Sequence, residues 1–186
     1  MADIVLLHSI LGLRPAEHEI GSVLEKDGHN VSLPDLYDGQ ATDDYDEGFR
    51  LKTRVGDAAI ESRARAAIEA APEDAILSGV SFGAFLVGQF WGGRPQMPAA
   101  LLLAGVAPWM IPQRPGLPVA VHIARPDPFD DEEFFDEWKA GAGSVKLEMH
   151  RYDGVGHYFL DRSLPDYDAG AAELCLDRCR AFLAGL

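Results

Sequence analysis

Uninterrupted apolar runs recur along the chain at intervals that leave room for a helix between them. DIVLLH (3–8), DAILSGV (74–80), AALLLAG (99–105) and PVAVHIA (118–124) are the clearest. A strand with one wet face alternates polar and apolar residues, whereas a strand covered on both faces reads as a continuous apolar run. Helical patterning fills the gaps. Pro15 opens a helix expected to end near Gly28, with proline early and glycine just past the end. NVSLPD (30–35) reads as a second strand stopped by Pro34, and the acidic stretch 38–47 as a surface loop. Helix is expected from Glu47 to Ala70, broken at Gly56, where Asp57 is placed to cap a second piece. DDEEFFDEWKAG (130–141) is a helix with an acidic first turn, SVKLEMHRY (144–152) a sixth, edge strand, and residues 167–184 the last helix. Strands alternating with helices specify a mainly parallel sheet of about six strands between two helix layers, a three-layer α/β sandwich.

At 186 residues the chain is expected to form one domain, 1–186, with a core of ordinary size. Apolar residues make up 47% and charged residues 25%, the profile of a globular protein. No apolar run approaches the ~20 residues that span a bilayer. The start, MADIVLLHSILGL, carries Asp3 and no basic leader, so it reads as a strand rather than a signal peptide. Thirty acidic against 16 basic side chains leave a net charge of −14. Phosphate backbones and anionic membranes are held by basic patches, so neither is an expected partner. The two cysteines, Cys175 and Cys179, sit at i, i+4 on the last helix with no histidine nearby in sequence. They read as reduced thiols in a reducing compartment, not as a metal site. No metal and no cofactor are expected.

Ligands of such sheets bind beyond the carboxyl ends of the strands. Three chemical groups stand there. Ser81 ends the third strand within Gly79-Val80-Ser81-Phe82-Gly83, where small residues on both sides let strand turn sharply into helix and lift the hydroxyl above the sheet. A serine needs a base, and His157, in the glycine-containing loop YDGVGHYF after the last strand, is better placed than the other five histidines. The acid follows the fifth strand: Asp127 lies just past its end between Pro126 and Pro128, while Asp130 and Asp131 suit the cap and first turn of the next helix. Serine, acid and histidine fall in the chain order this architecture uses. An oxyanion would be held by the backbone N–H of Phe82 and by one from the loop after the first strand, assigned to Ile10. His8 and Ser9 in that loop read equally well as hydrogen-bonded structural residues.

Taken together, LLHSILGL, VSLPDLYDGQ, GVSFGA, VHIARPDPF, YDGVGHYF and YDAGAAELCLDRCRAFL resemble the dienelactone hydrolase family of the α/β-hydrolase fold over nearly the whole chain. The resemblance implies a Ser81, Asp127, His157 triad and a cytoplasmic hydrolase of small carboxylic esters or lactones that works through an acyl-enzyme without a cofactor. Two departures stand out. The family's namesakes use a cysteine nucleophile governed by a glutamate in the first loop, where this chain has Ser81 and Ser9. They also carry an arginine for the substrate carboxylate shortly after the histidine, and Arg162 stands one position later here. The antiparallel hairpin of larger hydrolases is expected to be missing. No large lid is expected either, because residues 107–116 (APWMIPQRPG) are short and proline-rich, with Trp109 and Met110 as expected pocket walls. The same triad serves thioesterases, acyltransferases and peptidases, and a non-catalytic binding module on this fold is the reading from another class. The expected partner is a small-molecule substrate, with a homodimer admitted.

Overall fold

Every expected strand forms, and all of them join one sheet. The structure is a computed structural model that describes residues 1–110 and 113–186; Ile111 and Pro112, inside the segment expected to stand in place of a lid, lie outside the described residues. The strands are β1 (Asp3–Leu7), β2 (Asn30–Ser32), β3 (Ile76–Val80), β4 (Ala100–Leu103), β5 (Pro118–Arg125) and β6 (Lys146–Asp153). The helices are α1 (Pro15–Lys26), α2 (Tyr45–Val55), α3 (Asp57–Ala70), α4 (Phe82–Phe90), α5 (Glu132–Ala140) and α6 (Ala169–Ala184). The sheet order is β2-β1-β3-β4-β5-β6. Each neighbouring pair is parallel, so the sheet is wholly rather than mainly parallel. Between β4 and β5 the described residues form no helix, so no large lid stands over the strand ends.

The period-2 geometry of the strands divides the core into two halves. Ile4 and Leu6 of β1, Ile76 of β3 and Leu101 of β4 pack with Ile20 and Leu24 of α1 and Cys179 and Phe182 of α6. Their neighbours Val5, Leu7, Leu77 and Leu102 face the other way, onto α2, α3, α4 and α5. Both faces of the central strands are therefore covered, which is why their sequences show no alternation. β6 lies at the sheet edge, with one of its eight residues buried, and its sequence does alternate.

Local chemistry moves some boundaries. α2 begins at Tyr45 rather than Glu47, because the Asp44 carboxylate accepts the Glu47 N–H at 2.7 Å and caps the helix two residues earlier. Asp57 does not cap α3; it is the first helical residue, and Gly56 takes the cap position at φ 85°. A glycine adopts that left-handed angle without the Cβ clash that other residues meet. Asp131, not Asp130, caps α5 by accepting the Phe134 N–H. No described helix is long and apolar enough to cross a membrane.

Candidate active site

The order of the strands reverses between β1 and β3, and a crevice opens at the carboxyl ends on either side of such a switch. Ser81 follows β3 and Ile10 follows β1, so the two flank this point. Between Val80 and Phe82 the backbone of Ser81 adopts φ 52°, ψ −111°. A non-glycine residue in this region carries strain of about 1–3 kcal/mol, and the surroundings must hold it there. They do so by close approach. A Cβ on Gly79 would lie 2.2 Å from the Gly83 carbonyl carbon, and one on Gly83 would lie 2.1 Å from the Leu7 oxygen. Both glycines are required because backbone occupies the space a side chain would need. The Ser81 N–H donates to the Leu103 oxygen at 2.7 Å, pinning the turn to β4. Ser81 occupies the N-cap position of α4, yet its hydroxyl makes no cap bond. That leaves the oxygen free for side chains.

Two side chains meet it. His157 Nε2 lies 2.9 Å from Ser81 Oγ, and the Tyr158 hydroxyl donates to the same oxygen at 3.1 Å. On the other side of the ring, His157 Nδ1 is 2.7 Å from Asp127 Oδ2. The second oxygen of Asp127 accepts the Phe129 N–H at 3.0 Å, which orients the carboxylate. With Nδ1–H donated to Asp127, Nε2 is left as the acceptor for the serine O–H. The Asp127 side chain is 1% exposed and that of His157 6%, so the pair works in a setting of low polarity. Phe129 and Tyr158 both stand edge-on to the imidazole at 4.7 Å. The structure thus brings Ser81, His157 and Asp127 into one hydrogen-bonded row. Asp130 and Asp131 are not part of it.

The loop carrying Ile10 is held from several directions. Glu17 of α1 is buried and accepts the N–H of Ser9 through one oxygen and that of Arg14 through the other, each at 3.1 Å. Burial pushes its carboxyl above the usual range, although the backbone donors oppose that shift. His8 donates from Nδ1 to the Ser9 oxygen at 2.7 Å and accepts the Leu36 N–H at Nε2. Burial lowers its pKa, which keeps the ring neutral and structural. The N–H groups of Ile10 and Phe82 donate to no described residue, and both residues line the cavity that holds Ser81. Two unengaged backbone donors therefore stand at the same cavity as the serine hydroxyl.

That cavity measures about 610 Å³. Trp109 forms part of its wall, stacked between Trp91 at 4.9 Å and Trp138 at 4.8 Å, with its N–H on the Trp138 oxygen. Met110 does not line it and stays 67% exposed, so only half of the expected pair belongs to the wall.

Sequence reasoning missed three contributors. Tyr158 reaches Ser81 from the position next to His157, and burial pushes its phenol up to about 12, so it remains a donor at neutral pH. Asp166 accepts both the Tyr158 N–H and the Tyr45 hydroxyl, and Tyr45 stacks on Tyr158 at 5.3 Å. Gly156 is needed because a Cβ there would lie 2.5 Å from the Asp166 carboxyl carbon. Tyr158, Asp166 and Tyr45 left no trace in the sequence, whereas Gly156 was legible there as part of the glycine-containing loop. Elsewhere, the fold supplies the histidine that the cysteines lack in sequence: His122 Nε2 lies 3.6 Å from Cys179 Sγ, and its Nδ1 is 2.8 Å from the Tyr152 hydroxyl. With Cys175 it forms, among the described residues, one buried group of metal-ligating type, its ligand atoms within 4.8 Å of one another. It lies on the α6 side of the sheet, outside the cavity that holds Ser81.

Residues 2–185 match the dienelactone hydrolase family. Among solved structures, a dienelactone hydrolase candidate from Klebsiella pneumoniae superimposes with a TM-score of 0.79 at 17% identity, covering 100% of this chain and 88% of its own. A dienelactone hydrolase-like promiscuous phosphotriesterase from metagenomic libraries gives 0.75 at 20% identity, over 99% and 86%. The dienelactone hydrolase of Anabaena variabilis gives 0.71 at 17% identity, over 100% and 86%. No curated protein matches the chain.

Proposed function

The chain belongs to the dienelactone hydrolase family, and from that premise we propose that it is a serine hydrolase which cleaves a small carboxylic ester or lactone through an acyl-enzyme. The observation that carries this reading is the unbroken row Asp127–His157–Ser81, with contacts of 2.7 and 2.9 Å, ending on a strained serine that lines an apolar cavity. Ser81 Oγ attacks the substrate carbonyl while its proton passes to His157 Nε2. Asp127 keeps the imidazole in the required tautomer and stabilises the cation that forms. The carbonyl oxygen, now negative, is taken by the N–H groups of Ile10 and Phe82, the second of them at the positive end of α4. His157 returns the proton to the leaving alcohol, and water repeats the sequence on the acyl-enzyme. The two cysteines are free and buried, which supports a reducing, cytoplasmic setting.

The test is turnover of p-nitrophenyl acetate. Ser81→Ala and His157→Ala should each lower kcat on the order of 10³-fold or more, and the double variant should be little worse, because such groups act as a unit. Asp127→Asn should also lose most of the rate while unfolding at an unchanged midpoint, since it stabilises the wrong tautomer rather than the wrong fold. Near-normal turnover by Ser81→Ala would overturn the assignment.

A further inference from the structure

A serine hydrolase of this kind could accept many esters, and the lining of the cavity narrows the choice; the inference rests on the hydrolase reading. At about 610 Å³ the cavity has the size of an ordinary small-molecule site. Its rim is unusually apolar. Phe49 of α2, Phe85 of α4, Phe129 of the β5–α5 loop and Phe134 of α5 all line it, and each is between 39% and 50% exposed. They are four of the eight large hydrophobic side chains that the described residues leave exposed. Exposed apolar residues scattered singly need no explanation, but a cluster around one opening marks a surface that something apolar covers. Farther in, Trp109 and Trp138 contribute to the wall, and both indole N–H groups are occupied by backbone oxygens, of Trp138 and Ala107 respectively. The two rings have no donor left to offer a substrate.

The charges at the cavity are all of one sign. Asp130 and Glu137 line it, and no lysine or arginine does among the described residues. Burial and the neighbouring Asp127 raise the Asp130 carboxyl above its usual range, against an opposing pull from His157. Nearby cations are engaged elsewhere. Lys52 has its ammonium 5.5 Å from the Phe82 ring, but it is ion-paired with Asp57. Arg162, five residues past His157, pairs with Glu19 of α1 at 3.0 Å and packs over Tyr167 in a separate surface cleft. A carboxylate entering this cavity would give up its water and meet two like charges and no partner.

We propose that the cavity takes an uncharged ester carrying an aromatic or similarly bulky apolar group, and that it excludes a substrate bearing a carboxylate. The selectivity arises from Phe49, Phe85, Phe129 and Phe134 on the attractive side and from Asp130 and Glu137 on the repulsive side.

Two p-nitrophenyl esters of matched shape test this, those of (4-methylphenyl)acetic acid and (4-carboxyphenyl)acetic acid, with p-nitrophenyl acetate as the reference. The methyl compound should exceed the carboxylate in kcat/KM by about 100-fold, the scale set by burying a charge without a partner. It should also exceed the acetate by about 10-fold through the apolar area it covers. Glu137→Gln should narrow the gap between the matched pair, and Lys52→Gln should leave it unchanged. A carboxylate ester turned over as well as its methyl partner would overturn the proposal, as would a selective loss of carboxylate turnover in Lys52→Gln. The ketone analogues of the two esters, titrated by tryptophan fluorescence, report the same preference without chemistry, and equal affinity would also overturn it. If no ester is hydrolysed while the neutral ketone still binds more tightly, the hydrolase reading fails and the selectivity of the cavity stands.

Discussion

Tyr158 is the residue whose chemistry the sequence concealed most completely. Its hydroxyl donates to Ser81 Oγ while His157 accepts from the same oxygen, so the serine proton has one direction left to point. The phenol is itself held, by stacking on Tyr45 and by the bond of its N–H to Asp166. Removing the hydroxyl alone, in Tyr158→Phe, keeps the ring and its packing but frees the serine rotor. We expect kcat to fall by about 10-fold, the scale of one lost hydrogen bond to a reacting group, with KM changed less than two- to threefold. Steady-state kinetics on p-nitrophenyl acetate would check this, and an unchanged kcat would show that the contact orients nothing. Ser81, Asp127 and His157 were legible because each stands at a strand end in a fixed order. Tyr158 was not, because a tyrosine beside a histidine carries no signal until the loop folds. Glu17 was hidden for a related reason: its two partners, Ser9 and Arg14, are backbone groups, and backbone donors leave no mark in a sequence.

At the scale of elements, the turn from β3 into α4 carries the site, and its two glycines do more than permit a tight bend. They let α4 approach β1 so closely that Gly83 would place a Cβ 2.1 Å from the Leu7 oxygen. That obstacle is backbone in a buried central strand, which cannot move aside without disturbing the pairing of β1 with β3. Gly83→Ala should therefore destabilise the protein by about 1–3 kcal/mol or more, the range of overpacked cores, and displace Ser81 as well. Urea unfolding would read the first effect and esterase activity the second; a variant with wild-type midpoint and rate would refute the packing argument. The strands were easy to find, since burial on both faces writes itself as uninterrupted apolar sequence. Helix ends were harder. Asp44 and Gly56 set them through one carboxylate bond and one left-handed dihedral, each a choice among several polar or small residues nearby. Met110 escaped for a similar reason: its segment was identifiable, but which side chain turns inward depended on the stack of Trp109 between Trp91 and Trp138.

Across the whole molecule, a wholly parallel sheet gathers groups from β1, β3, β5 and β6 at one end, so residues up to 148 positions apart share a single cavity, as Ile10 and Tyr158 do. The net charge of −14 acts at long range in the same sense as Asp130 and Glu137 on an approaching anion. Whatever the substrate, the chemistry turns on one atom, the Ser81 oxygen. The most direct test is reaction of the intact protein with a fluorophosphonate, followed by peptide mass spectrometry. A single adduct should form, on the peptide that contains Ser81, and it should disappear in Ser81→Ala and slow greatly in His157→Ala. Labelling at another residue, or none while ester hydrolysis proceeds, would contradict the account.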